Sequence, residues 1–364
     1  MTHKPLGQKN DLLGNVRVET QEEVKMKKTV FLGALTIAAL TAGVGSAATL
    51  DDVKARGSLN CGVTTGLVGF AAPDANGVWE GFDVGICRAV AAAIFGDPTA
   101  VEFVPTTGQT RFTALASGEI DLLARNTTWT FSRDTDLKFE FVGVNYYDGQ
   151  GFMVPKDLGV SSAKDLDGAT VCIQTGTTTE LNLADFFRTN GISYEPVPIE
   201  TNAEAQQQYL AGACDVYTTD ASGLAATRAT FAAPQDHTLL PEIISKEPLG
   251  PLVRHGDSEW GDIARWTLNA LVSAEELGVN STNIAELAAA PTNNPEVNRL
   301  LGTEGELGAM IGLDANWAAN AIAAGGNYGE LFEKNIGENT PIGLARGLNA
   351  MWTEGGLIYS PPFR

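Results

Sequence analysis

Histidine is scarce in this chain: three occur in 364 residues, at positions 3, 237 and 255. Neither of the later two is read at the end of a strand, so acid–base catalysis has few groups to draw on. The four cysteines form no CxxC pair, and neither a zinc site nor a dithiol redox centre is supported. No P-loop, HExxH pattern or nucleophile elbow occurs. Basic residues are a minority, 24 Lys+Arg against 44 Asp+Glu, giving a formal net charge of −20. A surface of that sign repels nucleic acid and anionic lipid. Low-complexity linkers and coiled-coil heptads are missing too.

Long apolar runs are absent but for Val30–Leu40, which is too short for a comfortable membrane span. It follows Met26-Lys27-Lys28 and ends in Gly45-Ser46-Ala47-Ala48. That is the layout of a secretory signal peptide over 26–48, cut near Ala48. Residues 1–25 then read as over-called upstream sequence, with Met26 the true start. No cysteine follows the apolar run, which argues against a lipid anchor. Without residues 1–48 the chain keeps 18 Lys+Arg and 40 Asp+Glu, a net charge near −22. The expectation is an exported, freely soluble protein with no cofactor and no metal.

In an oxidising compartment Cys61, Cys87, Cys172 and Cys214 allow three pairings. Cys61–Cys87 and Cys172–Cys214 would each stay within one half of the chain. Crossed pairs would staple the halves together and block a hinge. Four buried free thiols are the bland alternative.

What is present is organised around Gly118–Arg133. Arg111–Ser117 repeats apolar residues at helical spacing, and Gly118 suits a left-handed helix end. Ile120–Ala124 reads as a short buried parallel strand, stopping in Arg125, Asn126, Thr127 and Thr128, with Arg133 beyond. Ligands of open α/β sheets sit beyond the carboxyl ends of strands. The same pattern returns about ninety residues later: a helix over Ala203–Leu210, Gly212, a strand over Cys214–Thr218, then Thr219-Asp220. One copy offers arginine and the other aspartate, which suits two lobes facing one zwitterion.

Around these units the chain alternates strands and helices. Strands are expected at Leu59–Val63, Val101–Val104, Lys138–Val142 and Thr170–Ile173, and helices at Val84–Phe95, Leu181–Arg188 and Ala221–Phe231. Crossings between halves are read near Asn145–Val154 and Ile243–Leu252. The remainder is expected to be helical, over Trp260–Leu277, Ile284–Ala290, Asn294–Leu301, Asp314–Ala324, Tyr328–Asn335 and Leu344–Trp352, before an extended, docked tail. The loop Gln174–Glu180 opens a helix, and its free N–H groups and dipole would favour a carboxylate. By itself it is equally a well-capped helix.

Phe70, Gly81-Phe82-Asp83-Val84, Gly118-Glu119-Ile120-Asp121, Thr127-Thr128, Arg133, Gly176-Thr177-Thr178-Thr179-Glu180 and Asp220 follow one another in the order of a known family. Over roughly 55–335 the chain resembles the amino-acid-binding proteins of ABC importers, solute-binding family 3. The four cysteines, Asn126-Thr127-Thr128-Trp129 and the long C-terminal part are most similar to the general or acidic L-amino-acid importers of α-proteobacteria. The resemblance implies the periplasmic-binding-protein fold: two doubly wound α/β lobes, a two-strand hinge and a mostly helical C-terminal extension. Lobe 1 would comprise 49–147 and 248–364, lobe 2 152–244, with crossings at 148–151 and 245–247. It implies a protein that closes on glutamate, glutamine, aspartate or asparagine and delivers it to a membrane permease.

Residue by residue, the resemblance makes Arg133 the carboxylate clamp and Asp220 the acceptor of the ligand ammonium. Thr128 would add a hydroxyl, and Thr178 with nearby backbone N–H groups would hold the carboxylate from lobe 2. Asn126, Thr127, Thr177 and Gln174 complete the expected polar lining. Leu67 stands where many relatives carry an aromatic platform, leaving Phe70 to pack on the ligand. Arg125 replaces a small residue; it either meets a ligand side-chain carboxylate or bridges a nearby acid. Without the resemblance, Arg133 is a surface cation, Asp220 a helix cap and Trp129 scaffold. Periplasmic dehydratases of aromatic amino-acid precursors share the fold and are the alternative reading, although no cleft acid or base stands out.

Overall fold

Apolar segments of five or six residues, each followed by a helix with one apolar face, must stack as parallel strands covered by helices. The computed structural model describes residues 49–364 and folds them in that way. The expected signal peptide and upstream stretch lie outside the described residues.

Helix α1 (Thr49–Arg56) leads into β1 (Leu59–Thr64), the small hairpin β2 (Ala72–Pro73) and β3 (Trp79–Glu80), then α2 (Phe82–Phe95). β4 (Val101–Thr106), α3 (Arg111–Ser117), β5 (Leu122–Leu123), α4 (Phe131–Thr135) and β6 (Phe139–Phe141) follow. The chain then crosses through β7 (Tyr146–Asp148) into β8 (Gln150–Pro155), β9 (Ala169–Gln174), α5 (Thr178–Asn190), β10 (Tyr194–Ile199) and α6 (Asn202–Leu210). β11 (Val216–Asp220), α7 (Ala221–Ala229) and β12 (His237–Leu239) complete that part. β13 (Glu247–Leu249) brings the chain back to β14 (Leu252–Arg254) and α8 (Ser258–Glu276).

Two five-stranded sheets result, ordered β4-β1-β5-β14-β6 and β10-β9-β11-β8-β12. In each, four strands run the same way and one is reversed: β14, between β5 and β6, in the first sheet, and β8, between β11 and β12, in the second. β7 and β13 pair antiparallel, Tyr147 opposite Pro248, and form a separate two-stranded ribbon between the sheets. Each half has its own buried core. Cys61 of β1 is bonded to Cys87 of α2, and Cys172 of β9 to Cys214, with Cα separations of 6.2 and 5.5 Å. Each pair stays within one half, as the within-half reading expected, the first tying β1 to the helix α2. Cys214 sits two residues ahead of β11 rather than within a strand.

The C-terminal part comprises α9 (Ile284–Leu287), α10 (Pro295–Leu300), α11 (Leu307–Met310), α12 (Trp317–Ala323) and α13 (Tyr328–Asn335); α10 packs on α8, α12 and α13 on α2 and α8, and α9 on α12. It also grips β7. The Tyr328 hydroxyl donates to the Asn145 carbonyl at 2.9 Å, and the Asn349 side-chain amide brackets Tyr147, accepting its N–H at 2.6 Å and donating to its carbonyl at 3.1 Å. The tail is docked: Phe363 packs edge-on to Trp266, with centroids 5.0 Å apart.

Two further expectations fail. Leu344–Trp352 is not a helix. Gly347 sits at φ 51°, and Leu344 and Met351 bridge sideways to Gly337 and Ile358, leaving only single 3-10 turns. His237 does begin a strand, β12, but on an outer edge, where its Nδ1 meets the Tyr209 hydroxyl at 2.9 Å.

Candidate ligand-binding site

The two sheets point their carboxyl ends at each other. Gly118 and Gly212 both adopt left-handed φ, 78° and 74°, ending the helices that precede β5 and β11. Asn126 follows β5 with φ 31°, a conformation that side chains seldom adopt outside constrained sites. Its Nδ2 donates across the cleft to Asp220 Oδ2 at 3.3 Å. Its backbone N–H donates to Asp83 Oδ2 at 3.2 Å, and its Oδ1 is buried with no partner.

Arg125 is 3 % exposed and donates from Nε to the Thr106 carbonyl at 3.0 Å. Arg133, 6 % exposed on the short helix α4, donates from Nη1 to the Thr128 carbonyl at 2.8 Å. The Thr128 hydroxyl donates to Glu247 Oε2 at 2.5 Å and lies 3.3 Å from the Thr178 hydroxyl of the opposite lobe. Leu67 is buried and reaches α7, where its Cδ2 lies 3.9 Å from the place of a Cβ on Gly223.

The remaining expected residues stand behind this surface or beside it. Phe70 is wholly buried in an aromatic cluster with Phe82 and Tyr146. Thr127 is buried; its hydroxyl donates to the Arg125 carbonyl and accepts from Arg111 Nη1 at 3.1 Å. Thr177 turns its hydroxyl into its own loop, to the Gln174 carbonyl, and Gln174 donates from Nε2 to the Glu200 carbonyl in the loop after β10. Trp129 stacks flat on Phe141, at 5.4 Å, as scaffold.

Residues not singled out from the sequence complete the site. Arg111, the first residue of α3, is 2 % exposed; its Nη2 reaches the Gly176 carbonyl at 3.4 Å and its Nε has no partner. A cation at a helix N-terminus opposes the dipole, and that misplacement was the available signal. Glu247 of β13, buried, and Asp148 of β7, half-buried, bring carboxyl groups from the hinge ribbon to the site.

Charge is concentrated here and withheld from water. Burial pulls Arg125 and Arg133 down to about 10, against the opposing charges of Asp220 and Glu247. Arg111 falls well below its ordinary value through burial and the neighbouring cations Arg125 and Arg133. Burial raises Asp83 and Asp148 to about 6. Asp220 is raised well above the carboxylate range by burial and by the charges of Asp148 and Glu247. Cations supplied by one sheet thus face acids supplied by the other and by the ribbon. No group of three His, Cys, Asp or Glu among the described residues is placed to hold a metal.

Residues 59–281 match the model of the bacterial extracellular solute-binding proteins, family 3. The chain belongs to this family. A family-3 relative, the glutamate/glutamine/aspartate/asparagine-binding protein of Rhodobacter capsulatus, is 67 % identical over 93 % of this chain and all of its own length. The general L-amino acid-binding periplasmic protein of Rhizobium johnstonii is 56 % identical over 93 % of this chain and all of its own. A solved periplasmic binding protein of an ABC transporter from Brucella ovis, with glutathione bound, superposes with a TM-score of 0.85. It is 55 % identical, covering 87 % of this chain and all of that one. These family-3 relatives are binding proteins and not enzymes.

Proposed function

We propose that the chain is the substrate-binding component of an ABC importer for polar and acidic L-amino acids: glutamate, glutamine, aspartate and asparagine. The observation that carries this reading is the set of buried guanidiniums, Arg111, Arg125 and Arg133, facing buried Asp220 across the cleft. Arg133 takes the ligand α-carboxylate, Asp220 its ammonium, and Arg125 or Arg111 a side-chain carboxylate or amide oxygen. A ligand with one pole on each lobe binds the closed form better, and that difference in affinity shifts the population. The lobes, 49–147 with 248–364 and 152–244, would close about crossings at 148–151 and 245–247. The closed, monomeric protein would deliver its ligand to a membrane permease in the periplasm, after removal of a signal peptide over 26–48. The relatives named above support this reading and do not favour the dehydratase alternative.

The test is calorimetric titration of ligand-stripped protein, from residue 49 onward, with each common L-amino acid and with glutathione, beside Arg133→Ala. One-site binding of glutamate or glutamine that disappears in the variant is the expected result. A folded wild type that binds none of them overturns the reading.

A further inference from the structure

Glu247 opens the second strand of the hinge ribbon and is 1 % exposed. Its Oε2 accepts the Thr128 hydroxyl of the first lobe at 2.5 Å and the Thr178 hydroxyl of the second at 3.0 Å. Its Oε1 accepts Asn182 Nδ2 of the second lobe at 2.7 Å and the Ser245 hydroxyl, next to the ribbon, at 2.6 Å. Four donors fill the four lone-pair positions of the carboxylate. Among the described residues no cation lies within ion-pair distance of it, although its charge is the largest favourable influence on Arg133.

We propose that Glu247 is a closure-positioning residue: its Oε2 holds the Thr128 and Thr178 hydroxyls together only while the lobes are closed. The closed form therefore has stability of its own, independent of ligand. Opening moves Thr128 away from Thr178, and one oxygen cannot follow both. Whichever hydroxyl departs, a buried carboxylate loses a charge-assisted hydrogen bond. Glutamine is a poorer partner: its neutral oxygen makes weaker bonds to the two threonine hydroxyls than a carboxylate does, and its NH2 is met by Ser245 and Asn182 only if both turn from donor to acceptor. The inference rests on the cleft being a ligand site, but its central measurement needs no ligand.

The test compares ligand-stripped wild type with Glu247→Gln, using solution scattering and energy transfer between dyes on the two lobes. Wild type is expected to hold a measurable closed fraction, and Glu247→Gln to lose most of it. Dissociation of bound glutamate should speed up about tenfold, with little change in association, as one such bond is lost. Thr128→Val, which keeps the shape and drops the donor, should behave alike, and Thr128→Ser should restore closure. A merely structural role would lower the melting temperature without altering the ligand-free dimensions. If Glu247→Gln fails to fold, the Thr128 pair decides. The proposal is overturned if the ligand-free wild type is fully open, or if both variants match its dimensions. Absence of any amino-acid binding would sink the transport reading alone, since the scattering result still judges Glu247.

Discussion

Asn126 Nδ2 lies 3.3 Å from Asp220 Oδ2, and each is the eighth residue after a left-handed glycine, Gly118 and Gly212. One structural sentence of helix, glycine, strand and polar tip is written once in each lobe, and the two tips meet. The contact joins a neutral amide to a carboxyl group crowded by Asp148 and Glu247. A ligand ammonium is a far stronger partner for Asp220 than Asn126 is.

Asp220→Asn should therefore separate binding from stability. The Asp220 carboxyl is raised, so the folded chain holds its proton more tightly than the unfolded chain does. That contribution is full below about pH 4 and fades as pH climbs through the raised value. At about pH 8 the ligand-stripped variant should melt higher than wild type, since a buried charge is gone. Its affinity should fall roughly 30-fold or more, as when one partner of a buried charge pair is truncated. In wild type, binding should release a proton and tighten as pH rises. Calorimetry in buffers of differing ionisation enthalpy measures both effects, and the variant should lose them.

Arg111→Met should alter ligand choice more than folding. Burial and two neighbouring cations already disfavour the Arg111 charge, so its removal relieves repulsion in the ligand-free protein. The expected outcome is a loss for glutamate about tenfold larger than for glutamine, the scale of one charge-assisted hydrogen bond. Competition of the two ligands for each protein reads that ratio directly. Equal losses would place Arg111 outside the side-chain end of the ligand.

Asn349→Ala should loosen the hinge from behind. The side chain gives and receives one hydrogen bond with the Tyr147 backbone, and both are lost together. Two neutral hydrogen bonds amount to about 1–3 kcal/mol, or a fall in melting temperature of roughly 2–6 °C. Slower exchange of the Tyr147 amide in wild type than in the variant would tie the change to that strand.

Much of this was legible because it is local. The left-handed glycines, the helix–strand alternation and the polar tips at Arg125, Asn126 and Asp220 are all dictated within about fifteen residues. Glu247 was not legible: in sequence it is one more acid in Lys246-Glu247-Pro248, and it gains meaning only where Thr128 and Thr178 converge on it. Arg111 was hidden because its place at the start of α3 reads as part of an ordinary helix, and only the converging side chains show why a cation stands there. Thr177 and Gln174 share the loop composition of a ligand site, yet the first closes a hydrogen bond within the loop and the second reaches the neighbouring loop at Glu200. The segment Leu344–Trp352 has helical composition but lies where sideways pairing with Gly337 and Ile358 prevails.

The strand order of the first sheet carries a consequence for assembly in time. β14, at 252–254, is inserted between β5 and β6, which precede it by more than a hundred residues. The second sheet draws all its strands from the continuous stretch 150–239. As the chain is synthesised, the second lobe has every strand of its sheet at hand while the first still lacks β14. Completion of the first lobe, and with it of the cleft between the lobes, is a late, long-range event.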